Sequence, residues 1–236
     1  MDTSEQISAI SEWFSKISPD NWATYVSGFG GVLLGSALSI IIAAYFAHRE
    51  HRKQRKSEAI SVALKATLIH NTFDHLLRHI KACEDVAKGR QLPGQFEPWA
   101  YIQLMAGQLE PVRIEPHELL VFIEARQYDL VHELVTLAMR NKSICDAYNA
   151  FAERKTELRS RVKEGEVIGN QVMSHSEAFD TPATIIRLEL KTLAESMVEH
   201  LPVYRKEAVN TCHKLTPALR RHFRDKSIPF FKVEGS

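Results

Sequence analysis

His75, His79 and Cys83 stand at successive steps of four, a spacing that stacks two imidazoles and a thiol along one helical face. Histidines paired in this way can share a zinc ion, and Asp74 or Glu84 would supply a supporting carboxylate. The competing reading is a plain helix surface in a chain with 11 histidines. Cys83 also falls in register with apolar neighbours, so no metal or other cofactor is expected. The chain contains no HExxH, no GxSxG and no CxxC, and its only glycine cluster lies inside an uncharged stretch rather than in a phosphate-binding loop. That argues against nucleotide-driven chemistry and metalloprotease or serine-hydrolase chemistry.

A second pair is Arg126 and His132, in "RQYDLVH". On an otherwise helical chain it resembles the short R-x(4–6)-H motif of HEPN ribonucleases, helical-bundle proteins frequent in bacterial defence and toxin systems. The resemblance implies Arg126 and His132 as catalytic residues, brought together from two protomers to cleave RNA without metal. Gln127 follows the arginine where that family favours Asn, Asp or His, and "RNKSICDAY", from Arg140, has the favoured start without a His at the required distance.

Whatever these residues do, an unusual N-terminal stretch positions them. Residues 22–47 contain no Asp, Glu, Lys, Arg or His. As a helix they extend about 39 Å, enough to cross the ~30 Å hydrocarbon layer with some tilt. Trp22 and Tyr25 at one end, Tyr45 and Phe46 at the other, fall where interfacial aromatics belong. The start is acidic and the apolar run ends in a basic cluster, which is not the pattern of a cleaved signal peptide. A retained transmembrane helix is expected over 22–47. Only Lys16 precedes it closely, whereas Arg49, Arg52, Lys53, Arg55 and Lys56 follow it. Positive residues stay inside, so residues 1–21 are expected outside a bacterial inner membrane and 48–236 in the cytoplasm. The same five cations are expected to attract anionic lipid headgroups. Three widely spaced cysteines agree with a reducing compartment. Ile7, Ile10, Phe14 and Ile17 would let the outer segment lie on the membrane as an amphipathic helix.

Within the span Ser27, Gly31, Gly35, Ser39 and Ala43 recur at steps of four. Small residues so placed let two helix backbones approach closely in lipid, which predicts self-association. A pore is a stricter reading, since the span has hydroxyls but no ionisable group.

From Ala37 to Lys88 there is neither Gly nor Pro, so one helix is predicted to leave the membrane and run to Gly89. Val62, Ala66, Ile69, Phe73, Leu76, Ile80, Cys83 and Ala87 alternate steps of four and three, the seam of a heptad. Leu134, Leu137, Asn141, Ile144, Tyr148, Phe151, Lys155, Leu158 and Val162 form a second seam, interrupted by Asn141 and Lys155. Ile186, Leu190, Leu193, Met197, Leu201, Tyr204 and Ala208 form a third, begun at Asp180-Thr181-Pro182 and expected to kink at Pro202. A short helix is predicted from Pro116 to about Ala125. No stretch alternates with period two for long enough to support a sheet. The expected fold is all-α: a single N-terminal transmembrane helix continuing into a long-helix cytoplasmic bundle with coiled-coil-like packing, assembled as a homo-oligomer.

The net charge of +1 and the pI of about 7.8 exert no global pull on nucleic acid, and the basic block lacks interleaved aromatics for stacking on bases. Nucleic acid is therefore not expected as a partner; membrane lipid, a second copy and a cytoplasmic protein are. The architecture is similar to membrane accessory proteins of RNA-targeting CRISPR systems, in which an anchor precedes a HEPN-like helical domain. That likeness implies a membrane-perturbing or pore-forming defence effector. The alternatives are a tethered HEPN-like ribonuclease and a scaffold that recruits a cytoplasmic partner.

Overall fold

A computed structural model describes residues 19–89, 97–161, 167–168, 171–172, 181–229 and 233, with side chains in the first helix described from Val32 onward, Leu34 excepted. The expected outer segment, residues 1–21, falls almost wholly outside them. Among the described residues there are five helices: α1 (Pro19–Gly89), α2 (Pro98–Tyr101), α3 (Pro116–Glu124), α4 (Tyr128–Arg161) and α5 (Thr181–Phe223). The chain divides into two compact units, Met1–Gln54 and Arg55–Ser236.

In the first unit α1 is helical from Pro19, and its described apolar side chains Val32, Leu33, Leu38, Ile40, Ile41, Ile42, Tyr45 and Phe46 are all 46–69 % exposed. Among the described residues no helix carries a stretch long and apolar enough to cross a membrane. The physical reason is length: residues 32–47 extend only about 24 Å as helix, and the expected span also needs residues 22–31, whose side chains lie outside those described.

The second unit is an all-α bundle. Its direction is set by four cross-links. Arg55 of α1 pairs with Glu124 at 3.0 Å and Lys65 with Glu118 at 2.6 Å, so α3 runs antiparallel to α1. Lys56 pairs with Asp225 at 2.6 Å and Asp74 with Arg205 at 2.6 Å, so α5 also descends against α1. α4 packs along α5 and rises with α1.

The three seams face the core as their spacing requires. Val62, Ala66, Ile69, Phe73 and Leu76 are fully buried, as are Leu134, Tyr148 and Phe151 on α4 and Leu190, Met197 and Leu201 on α5. Cys83 is only half-buried. α4 begins at Tyr128, ahead of its seam, and α5 continues to Phe223, through both Pro202 and Pro217 without interruption. A proline inside a helix removes one backbone bond at about 3 kcal/mol. Here Leu201, Leu215, Leu219 and Phe223, all buried, hold the flanking turns in place. Ile228, beyond the helix, is also buried, so this end folds back on the bundle.

Two departures from the expected architecture are local. Val167–Ile168 and Gln171–Val172 form a two-residue antiparallel ladder, shorter than any alternation pattern registers. The segment 102–115 is neither helix nor strand; Ile102 is fully buried and the other residues are half-buried or exposed. Its backbone polar groups need partners, and α4 supplies them. Tyr148 Oη accepts from Met105 N at 2.6 Å, and Asn141 Oδ1 accepts from Val112 N at 2.8 Å. Asn149 both accepts from Leu109 N at 3.0 Å and donates to Leu109 O at 2.9 Å. Lys155 donates to the carbonyls of Trp99 at 2.9 Å and of Ile102. The two polar interruptions of the second seam thus hold an irregular strap.

Candidate functional site

Three places carry the residues whose chemistry drew attention in the sequence: the outer face of α1, the groove between α4 and α5, and the end of the bundle at Arg55.

On α1, His79 Nε2–H donates to the Gln103 carbonyl at 2.8 Å, which leaves Nδ1 as the ring nitrogen with a lone pair. Cys83 Sγ accepts from Gln103 N–H at 3.4 Å and lies 3.7 Å from His79 Nε2, so both side chains clamp the start of the strap to α1. His75 is exposed. Among the described residues no three His, Cys, Asp or Glu side chains are arranged to hold a metal ion. Burial pushes the Cys145 and Cys212 thiols up to about 11, which keeps them protonated and unreactive at neutral pH.

The cavity between α4 and α5 has a volume of about 290 Å³ and is lined by His132, Glu133, Thr136, Arg140, Glu207 and Lys214 among others. Its charges are matched in pairs. Glu133 meets Lys214 at 2.5 Å and accepts from Thr211 at 3.4 Å; Arg140 pairs with Glu207 and lies 4.7 Å above the Tyr204 ring. These pairs are rungs between two antiparallel helices, since each carboxylate is already neutralised by a neighbour.

Arg126 and His132 are both exposed but sit on different elements. Arg126 occupies the turn between α3 and α4 with φ 56°, and His132 stands in the second turn of α4 at the rim of the groove. Among the described residues no hydrogen bond or ion pair joins them.

The basic block divides at the boundary of the two units. Arg49, Arg52 and Lys53 are exposed, and Lys53 pairs with Glu50 at 2.7 Å, which holds the Glu50 carboxyl below its ordinary range. Arg55 and Lys56 turn into the bundle instead: Arg55 bonds Glu58 at 3.3 Å as well as Glu124, and Lys56 holds Asp225. Of the five cations expected at lipid headgroups, these two serve the bundle. Sequence spacing alone cannot show this, because their partners lie far along the chain.

On the small-residue ridge, Ser27 and Gly31 lie outside the described side chains. At Gly35 nothing stands within 4 Å of where a Cβ would be, so the surface is open there. Steps of four advance about 40° each around a helix, so Gly35, Ser39 and Ala43 make a slanting ridge rather than a line. The Ser36 hydroxyl donates to Val32 O at 2.7 Å and that of Ser39 to Gly35 O at 2.8 Å. Both hydroxyls are satisfied by their own helix and need neither water nor a partner.

Glu118 was not singled out by any motif, yet its carboxylate gathers three donors. It accepts from Ser61 at 3.0 Å, Lys65 at 2.6 Å and the Glu115 backbone at 2.8 Å, closing a capping box at the start of α3. Burial alone would raise its pKa, but Lys65 and these donors outweigh that and lower it. The detectable signal was Glu115-Pro116 with Glu118, a helix-start pattern whose link to Lys65 is invisible in one dimension.

Comparison of the chain with protein-family models, with curated proteins and with solved structures returns no match.

Proposed function

We propose that this chain is a non-enzymatic, single-pass protein of the inner (plasma) membrane, anchored by residues 22–47, with the helical bundle on the cytoplasmic side. In this reading it assembles with copies of itself through the ridge of Ser27, Gly31, Gly35, Ser39 and Ala43. The observation that carries the reading is the exposed apolar surface of α1 over residues 32–46, in a helix whose backbone and whose Ser36 and Ser39 hydroxyls are internally bonded. A helix that is apolar all round and satisfied within itself is stable where it is covered by lipid or by like helices. The uncharged run of residues 22–47, followed by Arg49, Arg52 and Lys53, supports the span and its orientation.

Self-association follows from the ridge. Two helices meeting along slanting small-residue ridges approach closely and cross in the right-handed sense, gaining dispersion contacts unavailable against disordered lipid tails. A membrane-perturbing oligomer with the bundle as its cytoplasmic assembly is the specific form of this reading. The test is cysteine cross-linking in native membranes at Gly35 and Ser39, compared with Ile40. Cross-linked dimers at the first two positions and not at the third support the ridge, and equal yields at all three contradict it. Dye exclusion retained during overexpression would remove the pore-forming version alone.

A further inference from the structure

We infer that the end of the bundle where the chain arrives from Gln54 is a docking surface for anionic lipid headgroups, carried by Arg126, Arg221, Arg224 and Lys226 with Tyr128 among them. The inference rests on the anchoring reading and adds to it which part of the bundle meets the bilayer.

The placement comes from the ion pairs of the second unit. Arg55–Glu124 and Lys56–Asp225 bring the C-terminal ends of α3 and α5 level with the point of arrival. Arg126 follows α3, Tyr128 opens α4, Arg221 lies in the last turn of α5, and Arg224 and Lys226 flank Asp225. All five are exposed, Tyr128 to 62 %. None of the described side-chain hydrogen bonds or ion pairs engages the four cations. The carboxylates that would neutralise them are occupied: Glu58 and Glu124 by Arg55, and Asp225 by Lys56, which with Ser227 holds its carboxyl far below the ordinary range. Asp129 is exposed here and offsets one positive charge. The result is a surface cationic by sequestration, in a chain whose overall charge is only +1.

The backbone points the same way. Among the described residues Arg126 (φ 56°) and Arg224 (φ 51°) are the non-glycine positions in the left-handed region, and each ends a helix at this same face. That conformation is strained for an L-residue and is ordinarily filled by glycine. The helix dipole favours a cation at a C-terminus, which offsets part of the strain at Arg126 and Arg224, covers Arg221 in the last turn of α5 and leaves Lys226 unexplained. A headgroup layer accounts for all four at once. As helix, the residues from Ala47 to Arg55 span about 12 Å, a tether short enough for this face to reach the headgroup layer of an anchored chain. Tyr128 supplies the amphipathic ring suited to that layer. Single-stranded nucleic acid would ask for several stacking rings along a groove, whereas Tyr128 is a single ring on an end face.

The experiment uses the full chain reconstituted in vesicles of phosphatidylcholine alone and of phosphatidylcholine doped with phosphatidylglycerol. Amide hydrogen exchange is read over residues 123–129 and 221–229. Exchange slowed about tenfold or more by the anionic lipid is expected. The combined variant R126Q/R221Q/R224Q/K226Q is expected to exchange equally in both vesicles while its circular-dichroism melt stays at the native value. Equal exchange of the native chain in both lipids overturns the inference without touching the anchor. Protection by single-stranded RNA in neutral vesicles, with none from phosphatidylglycerol, overturns it in favour of a nucleic-acid surface. A chain that inserts into neither vesicle removes the anchoring reading and this inference with it.

Discussion

Two parts of α1 use the same residue types to opposite ends. Ile41 is 64 % exposed and Ile69 not at all; Phe46 is 55 % exposed and Phe73 not at all. The difference is in what stands between them. Around Ile69 and Phe73 apolar residues return at steps of three and four, with Lys65, Asn71, Asp74 and Arg78 on the remaining faces, so one stripe is buried and the rest mixes charged and polar residues with the exposed Leu64 and Leu68. Around Ile41 the neighbours on every face are apolar or small. A one-sided helix finds its cover within its own chain, and an all-round apolar helix needs cover from outside.

That contrast can be broken by matched substitutions. The largest effect is expected for Phe73→Ala, which removes a fully buried ring and should lower bundle stability by about 4 kcal/mol in chemical denaturation. Phe46→Ala should change the same transition by less than about 0.5 kcal/mol. If the two are equal, the halves of α1 do not differ in the way described. Lys155→Met comes next, at about 3 kcal/mol, because it leaves the Trp99 and Ile102 carbonyls unbonded where α4 meets the strap. Burial, with Arg159 nearby, pushes the Lys155 ammonium down to about 8. The unfolded chain therefore binds the extra proton between about pH 8 and 10.5, and this group's contribution to stability should rise across that interval. Lys155→Met should abolish that slope.

Glu118→Gln is expected to cost about 2 kcal/mol through the loss of the charged bond to Lys65. Its carboxyl pKa is lowered in the folded bundle, so the stabilisation is fully present above about pH 4.5 and lost as pH falls through the folded value. An acid melt of the Gln variant should lack that component. Smallest is Arg49→Gln, on an exposed side chain in the first unit, expected to leave the bundle transition within about 0.5 kcal/mol. A larger shift would mean that the first unit supports the second.

Much of this architecture is legible in one dimension because its determinants are local. The absence of Gly and Pro from Ala37 to Lys88 announces α1, the steps of three and four announce its buried face, and Glu115-Pro116 announces α3. What resists reading is non-local or compensated. Asn141 and Lys155 look like interruptions of a seam until the strap that needs them is placed across α4. Arg55 and Lys56 look like the rest of the basic block until Glu124 and Asp225 are brought against them. Pro202 and Pro217 argue against the continuity of α5, which tertiary burial of their neighbours restores.

The central claim is that the exposed apolar half of α1 is covered by lipid. Its most direct test is alkaline carbonate extraction of membranes from cells making the native chain, followed by recovery of the full-length polypeptide. Retention in the pellet, and its release by Ile41→Lys with Ile42→Lys, is the predicted result. Recovery of the native chain in the supernatant would contradict it.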